Sequence, residues 1–245
     1  MVVRAAVHIH SEWSHDGTWL LSKLASFLKK ASYSLMFTSE HADSFDHDRW
    51  ERYRQACLEA GSNEFLIIPG VEYSDPSNVV HLLVWGDIPF LGKMDDTERL
   101  LKTAYELGGL IVLAHPSRKN AWQKFEISWT PFLIGIEQWN RKVDGVAPSV
   151  EATILLDQCP TLLPFVGLDF HRINQFLPLA MTFEDGGTLS EERVLKVLRE
   201  RNFSAEAFGL SLKRFRGGIL GGTTASMERL RRMVKLTKGN NSHPE

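Results

Sequence analysis

The sequence predicts an α/β fold, a barrel of parallel strands wrapped by crossover helices, and two observations predict it. Short apolar runs alternate with longer amphipathic segments through six or seven repeats, the pattern of successive strand and helix. The runs are continuous rather than alternating, as in FLIIP and LIVLA, which suits parallel strands covered on both faces. The chain has 245 residues, 43% hydrophobic and 24% charged, enough for one large domain with a substantial core.

Taken in order, the apolar runs place strands at 2–9, 35–38, 65–69, 79–85, 110–114, 132–136 and 162–166. Helical patterns lie between them at 19–30, 49–60, 97–107 and 149–157. In the first of these, Leu20, Leu24, Phe27 and Leu28 form an apolar stripe, with Lys23, Lys29 and Lys30 elsewhere. A further helix is expected over 190–200, capped by Ser190 and apolar at Val194, Leu195, Val197 and Leu198. A glycine-rich break, RGGILGG at 216–222, precedes an amphipathic helix at 224–238 with Met227, Leu230 and Val234 on one face. The expected organisation is a barrel over 1–210 and a basic helical extension over 211–245, its GNNSHPE tail disordered and His243 idle. Residues 211–238 hold eight basic side chains against Glu228 alone, net +7. They form either a solvated helix face or a contact with an anionic partner.

The formal charge of the whole chain is only −2, which excludes a polyanion binder held by bulk charge. No run approaches the ~18 apolar residues of a membrane span, and the first run is too short for a signal segment. A cytoplasmic location is the default expectation. Cys57 and Cys159 match no zinc or disulfide spacing and read as buried thiols in a reducing compartment.

Nine histidines against four tyrosines is the feature that points to chemistry, because imidazole is the commonest transition-metal ligand. Eight of them precede residue 172, and all of these except His47 fall at or just beyond an expected strand end. In parallel barrels the loops that build active sites converge there. His8 and His10 alternate on one strand and so face one side. SEWSHDG follows, offering His15 and Asp16 on a turn allowed by Gly17. His41 comes next, with Glu40 or Asp43 available to orient it. Glu72 follows FLIIPGV as a carboxylate suited to bridging cations, and His81 lies nine residues on. His115 follows LIVLA, and Asp169 with His171 follow the last run. Singly, each has a plainer role: a hydrogen-bonded strand-end histidine, a surface turn, a helix cap. Six consecutive strand ends offering nitrogen or oxygen ligands and no thiolate instead suit a polynuclear Zn, Mn or Fe site in a hydrolase.

HIHSEWSHDG, SEHAD, PGVE, AHPSR and GLDFHR, in that order, closely resemble the motifs of the polymerase and histidinol phosphatase (PHP) family over about residues 1–200. The resemblance implies a distorted seven-stranded (β/α) barrel and a centre of two or three divalent ions that hydrolyses phosphoesters. Carried over by position, the ligand set is His8, His10, Asp16, His41, Glu72, His81, His115, Asp169 and His171. A turn one residue shorter would select His15 in place of Asp16. Glu40 stands where many members carry Asp, and the segment after Gly187 has no family motif.

Three carboxylates against two or three divalent ions leave such a site net cationic, so it attracts a phosphate dianion and can lower the pKa of a bridging water to give a hydroxide. His41, Arg118 and Arg172 are the residues expected to act on substrate. The two arginines lie just past ligands and could clamp phosphate, or form surface salt bridges. Arg141 is a weaker third, and Glu137 and Asn140 lie at the same mouth. Trp13, Trp19, Trp85, Trp122, Trp129 and Trp139 could stack on a base but more commonly pack. The expected partner is a small phosphorylated metabolite or nucleotide, with nucleic acid supported only by the basic helix. A non-phosphate, amidohydrolase-like metallohydrolase and a metal-braced binding domain are the alternatives.

Overall fold

A computed structural model describes residues 1–240, so His243 and the end of the expected tail lie outside the described residues. The N-terminal half runs β1 (Val2–Ile9), α1 (Leu21–Lys30), β2 (Leu35–Thr38), β3 (Glu40–His41), α2 (His47–Ala60), β4 (Leu66–Ile68), β5 (Gly70–Ser74), β6 (His81–Trp85) and α3 (Thr97–Glu106). It continues with β7 (Leu110–Leu113), β8 (Gly135–Asn140), α4 (Arg141–Asp144), α5 (Val150–Gln158) and β9 (Leu163–Gly167). The chain then forms β10 (Leu179–Glu184), α6 (Glu191–Arg199), β11 (Ser204–Ala207), β12 (Leu210–Ser211) and α7 (Gly218–Asn240). Helix starts follow local chemistry: Asp46, Asp96, Ser149 and Ser190 each accept a backbone N–H from the first turn of α2, α3, α5 and α6. The face α1 buries is Leu21, Leu24, Ala25 and Leu28, one position round from the expected stripe, because Leu20 is the exposed cap residue.

The strands form two six-stranded sheets, ordered β12-β11-β10-β1-β2-β4 and β3-β5-β6-β7-β8-β9, a mixed α/β fold. The closed barrel of parallel strands expected from the alternation is not what the hydrogen bonds describe. β6 runs antiparallel to both β5 and β7. Its connection from β5 spans only 75–80, too short for a parallel crossover, and Asp75 closes it by accepting the Val79 and Val80 amides at 2.6 and 2.9 Å. The antiparallel strands β10, β11 and β12 extend the first sheet beyond β1, where no strand was expected. Two further boundaries moved. β8 begins at Gly135 because Ile127–Phe132 coils as a 3-10 helix, and α7 starts inside the glycine-rich segment expected to break it.

The two sheets are joined at the end where the histidines lie. β2 passes into β3, and β4 into β5, across Ser39 and Pro69. The Phe170 amide donates to the His8 carbonyl at 3.1 Å and the His10 amide to the Phe170 carbonyl at 3.0 Å, lashing the end of β1 to the residues after β9. Beneath this end Trp85 is fully buried, donates Nε1–H to the Thr38 carbonyl at 2.8 Å, and packs edge-on against Phe37. Trp139 and Trp129 are buried too, and Trp13, Trp19 and Trp122 pack against the core, so these tryptophans serve packing. Cys57 and Cys159 are buried free thiols. No helix among the described residues is long and apolar enough to cross a membrane.

Gly70 lets Trp85 lie flat on the β4–β5 junction, since a Cβ there would stand 2.1 Å from Trp85 Cδ1 and 2.6 Å from the Thr38 carbonyl oxygen. Gly70→Ala is therefore expected to destabilise the fold by about 1–3 kcal/mol. Thermal denaturation reads it, and an unchanged melting temperature would contradict this packing.

Candidate metal centre

The strand ends are shaped by backbone strain. His8, His115 and Asp169 adopt φ of 62°, 26° and 49°, the left-handed region that non-glycine residues rarely enter. At His8 the pairing of β1 with β2 slips between Val7 and Ile9, a bulge that re-aims the histidine. A second slip, at Gln138 between Glu137 and Trp139 against β9, lies directly beside Glu137.

These devices bring the expected ligands together. Three sets of potential donor atoms each lie within 4.8 Å of one another: His8, Glu72 and His115; His8, His10 and Asp169; and His10, Asp16, His41 and His171. Glu72 lies at the centre. Its Oε1 is 2.7 Å from His81 Nδ1, 3.0 Å from His115 Nε2 and 3.5 Å from His8 Nε2. Its Oε2 is 3.1 Å from His41 Nδ1 and 3.5 Å from His10 Nε2. Asp16 closes the outer side, 3.3 Å from His41 Nε2 and 3.0 Å from His171 Nε2. His15 is exposed, faces Asp43 at 3.4 Å and lies 5.0 Å from the His41 ring at the rim of the mouth, outside the three donor sets. His81 touches Glu72 but is otherwise held by Asn78 Oδ1 at 2.7 Å. It sits at the start of β6, within the run expected over 79–85, and reaches this mouth because β6 is antiparallel.

His8, His10 and His171 each have the far ring nitrogen fixed by a neighbour, while His115 Nδ1 is buried without a hydrogen-bond partner among the described residues. His8 Nδ1 donates to Glu137 Oε1 at 2.8 Å, and Glu137 Oε2 accepts the His115 amide and Asn140 Nδ2, both at 2.9 Å. Gly167 makes room, since a Cβ there would lie 1.8 Å from Glu137 Oε1. His10 Nδ1 donates to Ser14 Oγ at 3.2 Å, and Ser14 in turn donates to Glu40 at 2.5 Å. Glu40 therefore steadies His10 and the Ser11–Ser14 turn, not the ring of His41. His171 Nδ1 donates to the Asp169 carbonyl at 3.0 Å.

A neutral His8 or His10 held in this way turns its Nε2 lone pair inward. Both Nε2 atoms are buried and without a hydrogen-bond partner among the described residues. Buried polar atoms are rarely left so, and two aimed at the same carboxylates fit divalent cations.

Without an ion, a proton takes that place on His8: burial would lower it, but the charges of Glu137, Asp169 and Glu72 prevail and raise it well above its usual value. Burial alone would raise the Glu72 and Asp169 carboxyls, yet the charges of His8 and its neighbours hold both well below the usual range. Burial would lower His41, but hydrogen bonds to Asp16 and Glu72 prevail and raise it to about 10. Burial, together with His171 and His41, pushes His10 well down.

Of the expected substrate-contacting residues, Arg118 lines the mouth of the cluster, a pocket of about 260 Å³, with its guanidinium 3.1 Å from His81 Nε2. Arg172 is exposed and lines an adjoining pocket of about 400 Å³ with Arg141. Sequence reasoning missed Lys142, whose Nζ donates to Asp169 Oδ1 at 3.0 Å. Its position two residues beyond the strand-end Asn140 was the only available signal.

No family model and no curated relative matches the chain. Solved structures do match its fold. A two-domain protein from Bacteroides vulgatus, containing a predicted PHP-like metal-dependent phosphoesterase, is similar at TM-score 0.63 and 18% identity, over 84% of this chain and 65% of that one. This chain thus spans just under two thirds of that protein. PsfC from Pseudomonas syringae is similar at TM-score 0.59 and 14% identity, over 95% of this chain and 98% of that one. The lesion-specific endonuclease PfuEndoQ from Pyrococcus furiosus is similar at TM-score 0.58 and 16% identity, over 82% of this chain and 56% of that one. At these identities the likeness is one of fold, and the fold is one shared with PHP-like metal-dependent phosphoesterases, as the five motifs led us to expect.

Proposed function

We propose that this chain is a metal-dependent phosphoesterase that hydrolyses the phosphate ester of a small metabolite or nucleotide at a centre of two or three divalent ions. The observation that carries the proposal is the pair of buried Nε2 atoms of His8 and His10, without a hydrogen-bond partner among the described residues and turned toward Glu72 and Asp169. We read the two sheets as an opened seven-stranded ring, in which β2–β3 and β4–β5 each count once and the Phe170 bridge returns to β1.

Imidazole and carboxylate donors without thiolate suit Zn, Mn or Fe. His8, Glu72 and His115 would hold one ion, His8, His10 and Asp169 a second, and His10, Asp16, His41 and His171 a third, with His81 supporting Glu72. When bound, such ions supply Lewis acidity to phosphoryl oxygens and acidify water. The chain's own residues do the rest. Glu137 and the Ser14–Glu40 pair fix the tautomers of His8 and His10. Arg118 presents a guanidinium to the phosphoryl oxygens across the mouth. Lys142 offsets the Asp169 charge, and His41 holds a proton between Asp16 and Glu72 until an ion takes its place.

Elemental analysis of the purified full chain should find at least two metals per molecule. His10→Ala and Asp169→Ala should each lose metal and phosphomonoester turnover together, and unchanged stoichiometry in both variants would contradict the assignment. A pH effect follows from His41. Its pKa in the folded, metal-free chain is raised from 6.5 to about 10, so its proton stabilises that state below pH 6.5 and the gain is lost as pH rises through 10. An ion bound at His41 must displace that proton, so affinity rises with pH across this window. Calorimetry of Mn addition in two buffers of different ionisation heat at pH 8 should register proton release, and equal heats would count against ligation by His41.

A further inference from the structure

The adjoining pocket holds three arginines that this reading leaves without work. Arg141, Lys142, Arg172 and Arg231 line it, with Asn174 and Gln175 between them. They come from α4, the segment after β9, and α7. The one carboxylate lining the pocket, Asp16, is already engaged by His41 and His171. Lys142 is committed to Asp169.

Arg231 reaches the pocket because Glu228, the single acid of the basic segment, docks α7. Glu228 is buried and accepts the Val146 amide at 3.0 Å. It also accepts Arg231 Nε and Nη2, each at 2.7 Å, and Arg232 Nε at 2.8 Å. With those bonds made, Glu228 has little left for Arg141. Arg141 makes one side-chain hydrogen bond, to the Asn174 carbonyl at 3.2 Å, while its Nε is buried with no partner among the described residues. Burial and the Arg231 charge disfavour its charged form and outweigh the opposing charge of Glu228. Like charges gathered at a half-buried wall cost free energy that a bound anion would offset.

We propose that Arg141, Arg172 and Arg231 form a second anion subsite, so that the substrate carries a second phosphate, or an equivalent dianion, beyond the ester that is cleaved. This rests on the phosphoesterase reading, and it names the substrate class. Both anions belong to one molecule because Asp16 and Lys142 line this pocket and the metal mouth alike. Guanidinium forks match a phosphate in bidentate fashion; among the described residues Arg141 and Arg172 have no ion pair to occupy theirs, and Arg231, whose Nε and one Nη are held by Glu228, adds charge and its remaining N–H groups.

The test is calorimetric titration of the Mn-loaded full chain with methylphosphonate and with propane-1,3-, butane-1,4- and pentane-1,5-bisphosphonate, metal content being checked after each. At least one bisphosphonate should bind about tenfold tighter than methylphosphonate. Arg231→Met and Arg172→Met should each bring that ratio to within about twofold of one, and Arg231→Lys should keep part of it. Arg172 is exposed, so its replacement does not disturb the docking of α7. Methylphosphonate binding with no gain for any bisphosphonate, or a gain that both Met variants retain, overturns the subsite alone. Failure of methylphosphonate and every bisphosphonate to bind overturns the phosphoesterase reading with it.

Discussion

A single buried carboxylate governs this end of the molecule. Glu72 is 1% exposed and lies between 2.7 and 3.5 Å from five imidazoles carried by β1, β3, β6 and the loop after β7. An ionised carboxylate cannot be taken out of water without compensating positive charge. The histidines supply it when protonated, and cations would supply it better, since neutral imidazoles then keep their lone pairs for coordination. The two sheets meet where they do because residues far apart along the chain must reach this one group.

The backbone is bent to the same end. His8, His115 and Asp169 hold left-handed φ, and β1 and β8 each carry a register slip beside a site residue. Such conformations cost of order 1–3 kcal/mol each and persist only where their surroundings fix them. Here Glu137 does much of the fixing, since it binds the His8 ring and the His115 amide at once. The rigidity of the donor cage is thus a property of the carboxylates behind it as much as of the donors themselves.

Much of the donor cage was legible in the sequence because it is local. HxH, PGVE, AHP and LDFH each end an apolar run, and short motifs keep their meaning wherever the run packs. What was not legible is what depends on pairing. The hairpin at 75–80 reverses β6 and carries His81 to the mouth by a route opposite to the one expected. β11 and β12 are the short stretches SAEA and LS with no apolar run to announce them, and β10 went unread beside the expected helix α6, so the first sheet grows past β1 unforeseen. Lys142 and Arg231 were hidden for a related reason. A lysine on a short helix and an arginine in a basic segment look solvated until Glu228 or the turn at Asn140 fixes which way they face. The net charge of the segment concealed the one acid that positions it.

The central claim is that these donors form a cage for cations, and anomalous diffraction from crystals grown with Mn tests it most directly. The account predicts scattering peaks at the His8–Glu72–His115 and His8–His10–Asp169 groups, with a third beside Asp16, His41 and His171 if the centre is trinuclear. Peaks confined to surface carboxylates, with Glu72 still bonded only to protonated imidazoles, would contradict it.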